Sequence, residues 1–294
     1  QLADFDAVLF ATGCDHSRRM FDAWRHADAA PALRHLVSVS SDSTPAAVAA
    51  LGHELRKLVE VLRKAWGVAL DEAALRAAIA LYNRQRRLLG ELYELRRGDD
   101  CPLTGTDVLA LHLTLSSIPV EEGNALLERL LQELPGARAE AAAAPVRLFL
   151  ASSHFEDLKR MAVIEQFGGR VVHDLMCTGT GFFHGLVDEE KEPLSALAER
   201  GLRRLSCPHA ADEIDWRFRF ITDSVRDWRC SGVVLDRLSF CAIGAAEAFV
   251  LRRRLKAQGV AVLELEGELH GGGEGQLRTR LEAFCEQLRN RSAA

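Results

Sequence analysis

Seven cysteines are spread along the chain, at positions 14, 101, 177, 207, 230, 241 and 285. The number is odd and the spacings are long and irregular, unlike the dense framework of a small disulfide-stapled secreted domain. Reduced thiols in a cytoplasmic protein are the expectation. Three of them follow apolar runs that read as strands. Cys14 comes directly after DFDAVLFAT (4–12), Cys177 three residues after GRVVHD (169–174), and Cys241 three residues after GVVLDRL (232–238). In an open parallel sheet, ligands bind beyond the carboxyl ends of the strands. Thiolates brought together there suit an iron–sulfur cluster or zinc. No Cys-x-x-Cys is present, and isolated buried thiols are the alternative, since free Cys is among the most buried residue types. Cys230 precedes its strand, Cys101 lies in a loop, Cys207 ends a helix, and Cys285 faces inward with Leu281 and Leu288 on the last helix.

Two glycine-rich stretches bear on ligand binding. Gly179–Thr180–Gly181 begins like a dinucleotide fingerprint, but its sixth position is His184 and it lacks an immediate strand-to-helix setting, so that reading is rejected. HGGGEG (270–275) opens the last helix, where free N–H groups suit a phosphate or carboxylate, and Arg278 and Arg280 would add charge. A flexible turn with solvated arginines is the alternative. His16, His154, His173, His184 and His209 lie near the expected strand ends, and none is assigned a catalytic role. No Walker motif, HExxH or Gly-x-Ser-x-Gly occurs.

The elements that must position these residues follow from periodicity. Strands are expected at 4–12 and 33–40 around a helix, which is a β-α-β unit and hence a parallel pair. From about Thr44 the spacing becomes helical for roughly a hundred residues, and ARAEAAAAP (137–145) reads as a link. Strands at 146–153, 169–174, 232–238 and 260–266 then alternate with helices at 155–167, 193–205, 214–228, 245–258 and 275–291. The expected fold class is α/β, with two doubly wound, Rossmann-like parallel-sheet domains and a helical insertion. The boundaries are 1–43 for a partial N-terminal α/β domain, 44–144 for the helical segment and 145–294 for the C-terminal α/β domain.

Composition narrows the function classes. The chain has 294 residues, 48% of them apolar and 27% charged, so it can bury a substantial core. A net charge of −5 and only 6% aromatic residues argue against nucleic-acid binding, which needs a basic field or stacking platform. No stretch approaches the ~18 apolar residues of a membrane span. The chain opens at Gln1, without Met, and the first strand begins almost at once, so residues are expected to precede it.

Five segments, in order, carry a resemblance: LFATGCDH (9–16), LYNRQRRLLGELYELR (81–96), HDLMCTGTGFF (173–183), SGVVLDRLSFC (231–241) and GQLRTRLEAFCEQL (275–288). Over nearly its whole length the chain resembles the iron–sulfur subunits of the 2-hydroxyacyl-CoA dehydratase and benzoyl-CoA reductase family. The resemblance implies two α/β domains with a helical insertion, a heterodimer with a homologous subunit, a 4Fe–4S cluster, an ATP-hydrolysing activator protein, and a CoA-thioester substrate that receives a low-potential electron. A thioester carbonyl is a poor electron acceptor, so such a donor must be strongly reducing and shielded. Carried over by position, Cys14 and Cys241 match cluster ligands and Cys177 matches the CTGT cysteine. A further ligand lies upstream of the first strand in the family, in a segment this sequence does not contain. Thr178, Gly179, Thr180, Arg278 and Arg280 match residues that bind the substrate or support the site. The chain departs from the family at Ala242, where an aspartate is usual, at Gly181, where an arginine is usual, and at His173–Asp174, where two aspartates are usual. A cluster-free interaction subunit and a double-cubane-cluster reductase are the alternatives. The acyl group, and dehydration against ring reduction, are left open.

Overall fold

The computed structural model describes residues 5–27, 30–136, 146–152, 154–203, 210, 213–268 and 274–292. The chain divides into two compact units, one built from Gln1–Ala80, Gly185–Arg204 and His209–Glu213, the other from Leu81–His184, Leu205–Pro208 and Ile214–Ala294.

In the first unit, strands β1 (Ala7–Ala11) and β2 (Leu33–Val37) flank helix α1 (Asp15–Arg25) and pair in parallel, from Ala7 opposite Leu33 to Ala11 opposite Val37. This is the expected β-α-β unit. Helix α2 (Pro45–Trp66) opens on a Thr44 cap whose hydroxyl accepts the Ala47 N–H at 3.3 Å, with proline in the first turn. It stops at Gly67, whose φ of 69° is one that glycine adopts without a Cβ penalty. Helix α3 (Glu72–Leu95) follows, and α8 (Pro193–Leu202) returns to this unit. Ala47, Leu51, Ala198 and Leu202 form its core between α2 and α8.

The second unit contains the four expected strands, β3 (Val146–Ala151), β4 (Gly169–Leu175), β5 (Gly232–Leu238) and β6 (Val262–Gly267). All pairs are parallel, in the order β4-β3-β5-β6. The first strand thus lies inside its sheet and later strands add on both sides of it, which is doubly wound topology. Helices cover both faces. Leu148 and Leu150 of β3 pack with Met161 and Ile164 of α6 (Leu158–Glu165) and with Leu281 and Phe284 of α11 (Glu274–Ser292). Phe149 and Ala151 point the other way, to Ile221 of α9 (Ile214–Asp227) and Leu251 of α10 (Ala242–Ala257). With both faces buried, the strands read as near-continuous apolar runs. Helices α4 (Gly105–Leu115) and α5 (Val120–Glu133) join the C-terminal part of α3 around Leu89, Leu92, Leu115 and Leu127. The expected link at 137–145 lies outside the described residues. Among the described residues no helix is long and apolar enough to cross a membrane.

Candidate functional site

Two of the three sequence-selected cysteines share one local position. Cys14, in the first unit, is the N-cap of α1 and follows β1. Its backbone N–H donates to Ser17 Oγ at 3.2 Å. Cys241, in the second unit, is the N-cap of α10 after β5, and its Sγ accepts the Gly244 N–H at 3.4 Å. The chain turns into that cap through Phe240, a bulky residue with φ of 66° and 86% exposure. Cys177 lies in the loop after β4, ahead of the single turn α7 (Thr180–Phe183). All three are partly exposed. Of the others, Cys285 is buried, burial pushes the Cys230 thiol up to about 12, Cys101 lies between α3 and α4, and Cys207 lies outside the described residues. Among the described residues no three or more His, Cys, Asp or Glu side chains are grouped to hold a metal ion. Cys14 and Cys241 belong to different units, and each is a partly exposed thiol of the donor type that an iron–sulfur cluster uses.

The Cys177 loop rests on a buried polar network. Asp174, at the end of β4, accepts the Tyr93 hydroxyl at 2.6 Å and the Thr180 N–H at 2.7 Å. Tyr93 Oη also lies 3.2 Å from His112 Nε2. The Tyr93 proton goes to the carboxylate, so His112 must donate through Nε2. Arg96 stacks over the Tyr93 ring at 5.0 Å, and its guanidinium donates to the Val171 carbonyl. Burial raises the Asp174 carboxyl pKa, opposed by the Tyr93 and Thr180 donors and the Arg96 charge. Burial, then the nearby Arg96 cation, lowers His112 and His173 to about 3, so both imidazoles are neutral. Thr178 is tied down by its hydroxyl donating to the Phe155 carbonyl at 2.5 Å. Gly179 is required because a Cβ there would sit 2.1 Å from Asp174 Oδ1. The expectation that Gly179–Gly181 lacks a strand-to-helix setting is corrected: β4 ends at Leu175 and the single turn α7 begins at Thr180, inside the stretch, with Gly179 as its cap, and that glycine serves a close approach to a carboxylate.

At the carboxyl edge of the same sheet, Asp236 of β5 and Arg160 of α6 form a buried ion pair, with Arg160 Nη2 to Asp236 Oδ1 at 2.5 Å and Nε to the same oxygen at 3.2 Å. Their side chains are 5% and 11% exposed. The pair borders a cavity of about 280 Å³ lined also by His154, Phe155, Leu238 and Gly267. Of the two arginines chosen from sequence, Arg280 donates to the Glu264 carbonyl at 2.5 Å and so ties α11 to β6, and Arg278 is exposed on the same helix. Most of HGGGEG lies outside the described residues. Tyr93, Arg96, His112, Arg160 and Asp236 were not singled out by sequence. The available signal was a charged residue inside an apolar strand, as in GVVLDRL and GRVVHDL.

Comparison with known proteins assigns the chain. Residues 1–288 match the family model for 2-hydroxyglutaryl-CoA dehydratase, D-component, and the chain belongs to that family. It is 27% identical to a protein of Escherichia coli (strain K12) named as a dehydratase subunit, YjiM, over 96% of this chain and 74% of the relative. It is 23% identical to the beta subunit of lactoyl-CoA dehydratase from Anaerotignum propionicum, over 97% of this chain and 75% of the relative. One of the benzoyl-CoA reductase subunits of Thauera aromatica is also 23% identical, over 97% of this chain and 74% of the relative.

Proposed function

We propose that this member of the 2-hydroxyglutaryl-CoA dehydratase D-component family works as one subunit of a CoA-ester dehydratase or reductase, paired with a homologous subunit and supplied with electrons by an ATP-hydrolysing activator. The family match over residues 1–288 carries this reading. Within it, Cys14 and Cys241 act as thiolate ligands of a 4Fe–4S cluster, and Cys177 is a third candidate donor. When bound, such a cluster supplies a low-potential electron for a thioester carbonyl. This chain's own contribution is to hold both sulfurs at helix N-termini, where free N–H groups favour a negatively charged ligand atom. The test is anaerobic isolation followed by measurement of iron, acid-labile sulfide and thiolate-to-iron absorption. Cys14→Ser and Cys241→Ser should each lower iron content while the fold is kept. A well-folded wild type that takes up no iron on reconstitution overturns the ligand assignment. Iron per chain separates one cubane from two.

A second reading, a cluster-free interaction subunit, is favoured by Ala242 and Gly181, where the resemblance implies an aspartate and an arginine. Under it, the assembled complex stays active when Cys14 and Cys241 are both serine.

A further inference from the structure

We infer that Asp174, oriented by Tyr93, is a positioning residue that sets the conformation of the loop carrying Cys177. The inference concerns that loop alone and stands whether or not the chain binds iron. Asp174 is 2% exposed, and each carboxylate oxygen has its own donor: Oδ1 takes the Thr180 N–H at 2.7 Å and Oδ2 takes the Tyr93 hydroxyl at 2.6 Å. The carboxylate also occupies the space a Gly179 side chain would need, since a Cβ would stand 2.1 Å from Oδ1 and 2.7 Å from Cγ. The loop is therefore moulded around Asp174 both by attraction at Thr180 and by exclusion at Gly179. Two further ties close it: the Gly179 and Gly181 N–H groups both donate to the Met176 carbonyl, at 3.2 and 2.9 Å. Tyr93 cannot turn away, because its ring is enclosed by His112, His173 and Phe183, with centroids 6.0, 5.5 and 4.7 Å distant. Cys177 is the partly exposed thiol on this otherwise anchored turn, so its accessibility reports whether the turn is held.

The experiment is alkylation of the full chain with iodoacetamide, read residue by residue by mass spectrometry, with Cys101 as internal reference because it is partly exposed but remote in sequence from the loop. Tyr93→Phe removes one hydrogen bond to a charged acceptor and should raise the Cys177-to-Cys101 rate ratio about tenfold. Asp174→Ala should raise it further, and Asp174→Asn, which can still accept the Thr180 N–H, should bring the ratio back to within about threefold of wild type. Gly179→Ala should raise the ratio at least about tenfold in the wild-type background but less than about twofold on top of Asp174→Ala, because the clash is then gone. An unchanged ratio in folded Tyr93→Phe protein overturns the inference, as does an equal Gly179→Ala effect in both backgrounds. If Asp174→Ala fails to fold, Tyr93→Phe still decides the matter. A general loosening would raise Cys101 in step with Cys177 and would also overturn it.

Discussion

Acid should destabilise the second unit through His112, and the size of the effect follows from its environment. Burial and the Arg96 cation hold this imidazole neutral, with a pKa lowered from 6.5 to about 3. Between those values the unfolded chain binds a proton that the folded chain does not, so stability falls as pH drops below 6.5 and the loss saturates only near the folded value. One unit of pKa difference is about 1.4 kcal/mol, which gives a loss of about 2 kcal/mol at pH 5 from this one residue. At pH 5 the folded imidazole is neutral whether its pKa is 3 or somewhat above, so the loss there depends on the unfolded value alone. The Asp174 and Asp236 carboxyls, raised by burial, act with the opposite sign: the folded state takes up their protons first. That contribution is common to wild type and His112→Gln and drops out of the difference between them. Glutamine can still donate to Tyr93 but does not titrate. The assay is hydrogen exchange of the β3 and β4 amides at pH 7.5 and pH 5, corrected for intrinsic rates, which reads this unit alone. Wild type should lose about 2 kcal/mol more opening free energy than His112→Gln over that interval. Parallel losses in the two proteins would show that His112 is not held neutral and would refute the reasoning.

Arg160→Ala leaves Asp236 buried without a counter-ion and should cost about 3–5 kcal/mol, whereas the double change Arg160→Met with Asp236→Leu should stay near neutral. Thermal unfolding of both variants checks this, and equal destabilisation would show that the pair's charge is not what matters. Gly232→Ala places a Cβ 2.8 Å from the Phe284 ring and 3.0 Å from Leu288 in the core. It should cost about 1–3 kcal/mol by overpacking, and hydrogen exchange of β5 that matches wild type would contradict it.

The strands were legible because both faces of the second sheet are buried, so VRLFLA and GVVL read as apolar runs. Helix starts were less so. The last crossover helix is expected from Ala245, whereas it begins at Ala242 with Cys241 as cap. Asp15, His16 and Ser17 read as cap candidates ahead of RRMFDAWRHAD, whereas α1 already begins at Asp15 with Cys14 as cap. The one-turn helix after Gly179 has too few residues to show a period. The polar network was invisible for a different reason. Tyr93 and His112 sit on helices read only for their apolar spacing, and Tyr93 meets Asp174 across 81 residues of sequence. Pattern reading finds which face of a helix is buried, but not which polar group finds a partner inside it.

The two capping cysteines bear on the proposal in a way that helix energetics alone does not explain. Sulfur is a weak acceptor, and the 3.4 Å contact from Gly244 to Cys241 is long for a cap. Serine, threonine or aspartate would stabilise either helix start better, typically by about 1 kcal/mol over a residue that cannot cap. Cysteine nevertheless stands at the cap after a parallel strand in each unit, partly exposed both times. A demand for sulfur itself, as a soft donor at the carboxyl edge of a sheet, supports the ligand reading over a packing one. It also makes serine the informative replacement. Serine keeps or strengthens the cap, so a Cys14→Ser or Cys241→Ser protein that folds as well as wild type but binds less iron isolates the chemistry of the sulfur from the stability of the helix. A serine variant that loses fold and iron together would place these residues with the scaffold instead.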